Sequence, residues 1–220
     1  MAKADGKVPE PEALAMLRHR FGRTIEIWTA YHVFLTREVD VGPRKTCVDE
    51  TIVEQTTHTL NMVFYSFVYS IFDPSGVSFP KISQTILKEI TPIAIEARTM
   101  VIEAERRIHG DLAKIRSNIG FHQGANRKKH KVGYGAYNTF HPGIPMLIMH
   151  GLRVFFREVA KTHESSEPYA KPVDDAVTAK ILQHCRNLEN EIAEDDGADL
   201  PSMLIQLGER MRKSAFGGNS

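Results

Sequence analysis

The segment Lys114-Ile-Arg-Ser-Asn-Ile-Gly-Phe-His122 sets an arginine and a histidine six residues apart at the end of a strongly helical pattern. An imidazole moves protons near neutral pH, and a guanidinium is a permanent planar cation that grips phosphate oxygens in pairs. Such a pair suits phosphodiester chemistry. The histidine takes a proton from a ribose 2′-hydroxyl or returns one to the leaving oxygen, while the arginine steadies the charge on phosphorus. The candidate catalytic residues are Arg116 and His122, with Asn118 four residues before the histidine and placed to orient it or bind a phosphate. On spacing alone, the competing reading is a core histidine satisfying a backbone carbonyl beside a solvated arginine.

Downstream, Arg127-Lys-Lys-His-Lys131 forms a basic lip. Arg127, Lys128, Lys129 and Lys131 are candidates for phosphate contact, unless the run is simply a solvated loop. Tyr134, with Tyr137, stands among Gly133 and Gly135 and either stacks on bases or packs a turn. The wider charge distribution points the same way. From 112 to 157 the chain has no Asp or Glu, eight Lys or Arg and four His, although the whole carries 28 basic and 27 acidic side chains for a net charge of +1. A basic segment inside an acidic body favours a phosphate-rich partner such as RNA. No metal or other cofactor is expected: His122, His130, His141 and His150 lack a ligand spacing and have no carboxylate among them.

With 220 residues, 42% hydrophobic and 25% charged, the chain fits one globular domain with a proper core. Cys47 and Cys185 have no paired spacing, and the start Met-Ala-Lys-Ala-Asp-Gly-Lys is polar, so the expectation is free thiols in a reducing cytoplasm. No apolar run approaches the roughly 20 residues of a membrane span.

The periodicity predicts the elements that must hold this chemistry. After a disordered start at 1–8, Leu14, Leu17, Phe21, Ile25, Trp28, Tyr31 or His32, and Leu35 recur at steps of three and four, an amphipathic helix of some 28 residues. A second helix spans about 48–72, with Leu60, Phe64 and Ile71 on one side; its β-branched and aromatic residues also allow a strand. A third pattern begins near Ser83 and keeps one face through Ile86, Ile90, Ala97, Ala104, Ile108, Ile115 and Ile119, with Pro92 either a kink or a second start after Thr91. Gly124 to Gly143 reads as a long basic loop. A fourth helix covers about 144–162 and a fifth about 173–194, built on Val173, Val177, Ile181, Leu188 and Ile192, with Cys185 near its inner face. Asp199 caps a short last helix to about 213, and 214–220 is a flexible tail. The fold class is therefore all-α: a single domain over 9–213, a bundle of four to five long helices.

Helical steps of about 100° per residue put Arg116 and His122 about 9 Å apart along the axis and about 120° apart around it. They do not converge easily within one chain. Either Gly120 ends the helix and reorients His122, or a second copy brings its own pair against the first.

These residues resemble the HEPN superfamily, whose RX4-6H motif reads here Arg116-Ser-Asn-Ile-Gly-Phe-His122 with five intervening residues. The preceding helix, with Val63-Phe-Tyr-Ser-Phe-Val-Tyr-Ser-Ile-Phe-Asp73, also looks like HEPN proteins of the abortive-infection type, and the similarity covers about 10–165. The resemblance implies a metal-independent endoribonuclease acting as a homodimer, both motifs meeting in a cleft, in toxin–antitoxin systems, phage defence or RNA processing. An antitoxin or other protein partner follows from the same resemblance. One departure stands out: Ser117 follows the arginine where active members usually carry Asn, Asp or His, and Asn118 comes one place late. Inactive members of the superfamily bind nucleotides, RNA or proteins, so the alternative is a non-catalytic helical binding module.

Overall fold

The computed structural model describes residues 10–36, 50–118, 131–133, 135–136 and 139–194. Among these there is no strand. The long helices are α1 (Glu10–Thr36), α2 (Glu50–Phe72), α4 (Pro92–Asn118), α5 (Gly143–Val159) and α6 (Asp175–Glu194); α3 (Phe79–Thr85) and a 3-10 turn at Pro168–Ala170 are short connectors. The disordered start, the last helix and the tail expected from the sequence lie outside the described residues. No helix among the described residues is long and apolar enough to cross a membrane.

The α2 segment is helical despite its β-branched and aromatic content, because its side chains bury as a helical face: Met62, Tyr65, Val68, Ile71 and Phe72 are all inside. Tertiary burial overrides a strand propensity of this size. The third pattern divides into two helices. Thr91 is the cap of α4: the Ala94 amide donates to its hydroxyl at 3.2 Å and the Ile95 amide to its carbonyl at 3.0 Å. Pro92, with no amide to satisfy, then starts the helix rather than kinking it. From there Ala94, Ala97, Met100, Val101, Ala104, Ile108, Leu112 and Ile115 form the buried face of α4.

Two further expectations change. Part of the segment read as a loop is helical, at 131–133 and 135–136, with Gly133, Ala136 and Phe140 buried. Ala136 and Phe140 are four apart, which gives this turn an inward face, and Tyr65 packs edge-on against Phe140 at 5.4 Å. In α6 Val177 is exposed at 44%, and the inward stripe is Thr178, Leu182, Cys185, Leu188 and Ile192. Val177 precedes Leu182 by five residues, about 140° around the helix, so both cannot face the core.

Helix α5 is the hub. Thirteen of its 17 residues are buried, and it packs on α4, α6 and α1. Gly151 permits the close crossing with α4, since a Cβ there meets Val101 Cγ2 at 2.5 Å. Phe155 and Phe156 stack edge-on against Phe79 at 4.9 and 6.2 Å, and Phe21 lies 5.0 Å from Phe156. The contacts fix direction: Phe21 meets Phe156 while Trp28 meets His150, so α1 runs antiparallel to α5. Gly143 faces Ile192 and His150 faces His184, so α6 is antiparallel to α5 as well. Arg18 is buried and donates to the carbonyls of His163 and Glu164 at 2.6 and 2.8 Å, tying α1 to the chain leaving α5.

Candidate functional site

Arg116 lies in the last turn of α4, where a cation complements the negative end of the helix. Its guanidinium carbon stands 5.1 Å from the centre of the Tyr69 ring, and its Nη2 is 3.8 Å from Asp73 Oδ2. Asp73 follows the last residue of α2 and holds the turn there, its Oδ1 accepting from the Ser75 amide at 2.9 Å and the Ser75 hydroxyl at 2.7 Å. Those two hydrogen bonds, and then the Arg116 and Arg20 cations, keep the Asp73 carboxyl below its ordinary pKa against the opposing effect of desolvation. A separation of 3.8 Å is an ion pair without a hydrogen bond. The Arg116 fork, 35% exposed, therefore retains donors for an incoming phosphate.

One face of α4 extends the site. His109 precedes Arg116 by seven residues, two turns of helix and nearly the same angle, and its ring lies 5.5 Å from that of Tyr69. Tyr69 thus contacts both the guanidinium and the imidazole. The His109 Nδ1 is hydrogen-bonded to Glu105, one turn earlier, whose side chain is only 9% exposed while that of His109 is 41% exposed. Burial raises the Glu105 pKa, and the hydrogen bond and charge of His109, with Arg106, oppose that rise. A carboxylate on Nδ1 orients the ring and leaves Nε2 as the nitrogen for proton exchange or anion binding. Chemically, the strip offers a clamped cation and an oriented imidazole.

The residues singled out by spacing distribute unevenly. Arg116 sits on this strip. The side-chain nitrogen of Asn118 donates to the Lys114 carbonyl at 2.8 Å, folding back along its own helix. Lys131 is exposed at the start of the short helical stretch that follows. His122, Arg127, Lys128, Lys129 and Tyr134 lie outside the described residues. Among the histidines read as a weak metal cluster, His141 Nδ1 accepts from the Gly143 amide at 2.9 Å and His150 packs between Trp28 and His184. Spacing alone passes over Glu105, His109, Tyr69 and Asp73. A signal for the first two is present in one helix, because Glu105, His109 and Arg116 share one face at steps of four and seven; Tyr69 and Asp73 join them only through the packing of α2 against α4. No protein family, curated protein or solved structure matches the chain.

Proposed function

We propose that this chain is a metal-independent endoribonuclease of HEPN type, acting in the cytoplasm in a toxin–antitoxin or phage-defence setting. In this reading Arg116 binds the scissile phosphate, His122 transfers the proton, and two copies of the chain bring their motifs to one cleft. The observation that supports it is the state of Arg116: it ends a 27-residue helix, is partly exposed, and is steadied by an aromatic ring and by a carboxylate at 3.8 Å. Positioned but unsaturated donors are what stabilisation of a developing phosphorane charge requires. The acid-free span around it supplies the field that draws in a polyanion.

A second reading has its own observation. The contacts of Arg116 with Tyr69 and Asp73 join α4 to α2, a role that needs no catalysis, and with Ser117 after the arginine it favours a non-catalytic module that binds RNA or a partner protein. Incubation of the purified protein with total RNA in EDTA, beside His122→Ala, separates the two. Cleavage by the wild type and its loss in a folded variant is the expected result. A wild type that cleaves nothing, or a variant with full activity, leaves the binding module.

A further inference from the structure

On α5 all but four residues are buried, and those four, Met146, His150, Arg153 and Arg157, recur at steps of four, three and four. They form a single stripe along the central helix, bordered at His150 by Trp28 of α1 and by His184 of α6, whose ring centres lie 5.3 and 4.9 Å away. Arg153 and Arg157 are half-buried and one turn apart. The Nε of each is fully buried without a hydrogen-bond partner, and neither guanidinium has an ion pair among the described residues.

The Arg18 Nε is buried without a partner as well, but the terminal nitrogens of the other shielded arginines are engaged, and those of Arg153 and Arg157 make no hydrogen bond among the described residues. The terminal nitrogens of Arg18 donate to the His163 and Glu164 carbonyls, Arg20 donates to the Ser70 and Val77 carbonyls at 2.9 and 2.8 Å, and Arg98 donates to the Ser83 hydroxyl at 2.8 Å and to Gln84 at 2.9 Å. Burying a polar nitrogen without a partner is costly, and two guanidinium groups one turn apart also repel, while their terminal nitrogens stay accessible to an incoming anion. The surroundings do not relieve the repulsion. Desolvation first, then Arg153, lowers the Arg157 pKa, and desolvation, His184, Arg153 and His32 together hold His150 down to about 4. The nearest carboxylate in sequence, Glu158, is engaged elsewhere, with Lys161 at 2.6 Å and the Thr91 hydroxyl at 2.7 Å.

We propose that Arg153 and Arg157, with His150 and His184 at one end of the stripe, form a phosphate-binding site along α5 between α1 and α6. Two planar forks at a helical step of four suit the several oxygens of a phosphate, and partial burial of each guanidinium strengthens its charge-assisted bond once an anion is seated. The phosphate is either that of a small phosphorylated molecule or one in an RNA backbone. The site is on α5, apart from the Arg116 strip on α2 and α4, and holds whether or not the chain cleaves RNA.

Calorimetric titration with pyrophosphate and fluorescence anisotropy with a short single-stranded RNA, on wild type and on Arg153→Gln/Arg157→Gln, test it. Wild type is expected to bind at least one probe, and the double variant at least ten-fold more weakly. Binding of pyrophosphate assigns a small phosphorylated ligand; binding of RNA alone assigns the backbone. A wild type that binds neither probe, or a folded double variant that binds as well as wild type, overturns the proposal; so does binding of an acidic peptide in place of both. Should the double variant not fold, arginine modification by phenylglyoxal on wild type decides: protection of Arg153 and Arg157 by the bound probe supports the site, and unchanged labelling overturns it.

Discussion

Replacing Arg116 by glutamine separates a structural from a catalytic role by the size of two losses. At the observed 3.8 Å an ion pair with Asp73 carries about 1 kcal/mol of Coulomb energy in water. With Arg116 35% exposed, the measured coupling should fall in the range of roughly 0.2–1 kcal/mol found for surface pairs. The contact with Tyr69 adds about 0.5–1 kcal/mol at such a site. Arg116→Gln is thus expected to lower unfolding stability by no more than about 1–2 kcal/mol. Removal of a donor that stabilises transition-state charge costs about 10²- to 10³-fold in rate, or roughly 2.7–4 kcal/mol of barrier. Urea unfolding followed by circular dichroism gives the first quantity and RNA cleavage in EDTA the second. Arg116→Lys, which keeps the charge and loses the fork, should retain stability and still lose most of the activity. In a double-mutant cycle with Asp73→Asn, which preserves the acceptor for Ser75, the coupling should stay below about 1 kcal/mol. Cleavage retained in Arg116→Gln, or a stability loss large enough to account for the lost activity, refutes the assignment of a catalytic arginine.

Gly151→Ala should destabilise by about 1–3 kcal/mol, because its methyl would stand 2.5 Å from Val101 Cγ2 in the closest part of the α4–α5 contact; an unchanged urea midpoint would show that the helices separate freely there. Stability should also fall in mild acid. His32 and His150 are held at about 4 by burial in the folded protein, against an unfolded value near 6.5. The unfolded chain therefore binds more protons between those values, so this contribution is complete above about pH 6.5 and is lost as pH falls toward 4. His150→Gln should flatten the pH dependence of the urea midpoint, and an equally steep profile in that variant would remove His150 from the account.

The legible parts of this chain are those governed by local periodicity. Leu14, Leu17, Phe21 and Ile25 announce the inner face of α1, and Ala97, Ala104, Ile108 and Ile115 that of α4, because burying one stripe of a helix requires apolar residues every three or four positions. Thr91-Pro92 carries its own start signal, since a capping hydroxyl and a missing amide act within one turn. The face of α6 misleads at Val177, where an apolar residue one step off the stripe looks the same in one dimension and ends 44% exposed. Arg116 is visible as a candidate from its type and place near a helix end. Its partners are not: Tyr69 and Asp73 stand 47 and 43 positions earlier, and no local pattern ties them to it. Their meeting depends on α2 packing against α4.

The stripe on α5 makes the same division sharper. The sequence by itself determines that Met146, His150, Arg153 and Arg157 share a face, because the steps of a helix are fixed by its backbone hydrogen bonds. Whether that face is open to water or enclosed between neighbours is set by α1 and α6 packing antiparallel on either side. An arginine is the same cation in both cases. Only enclosure leaves its Nε without water or partner, and only the tertiary structure supplies enclosure, because the desolvation of a charge depends on residues brought close in space from far along the chain.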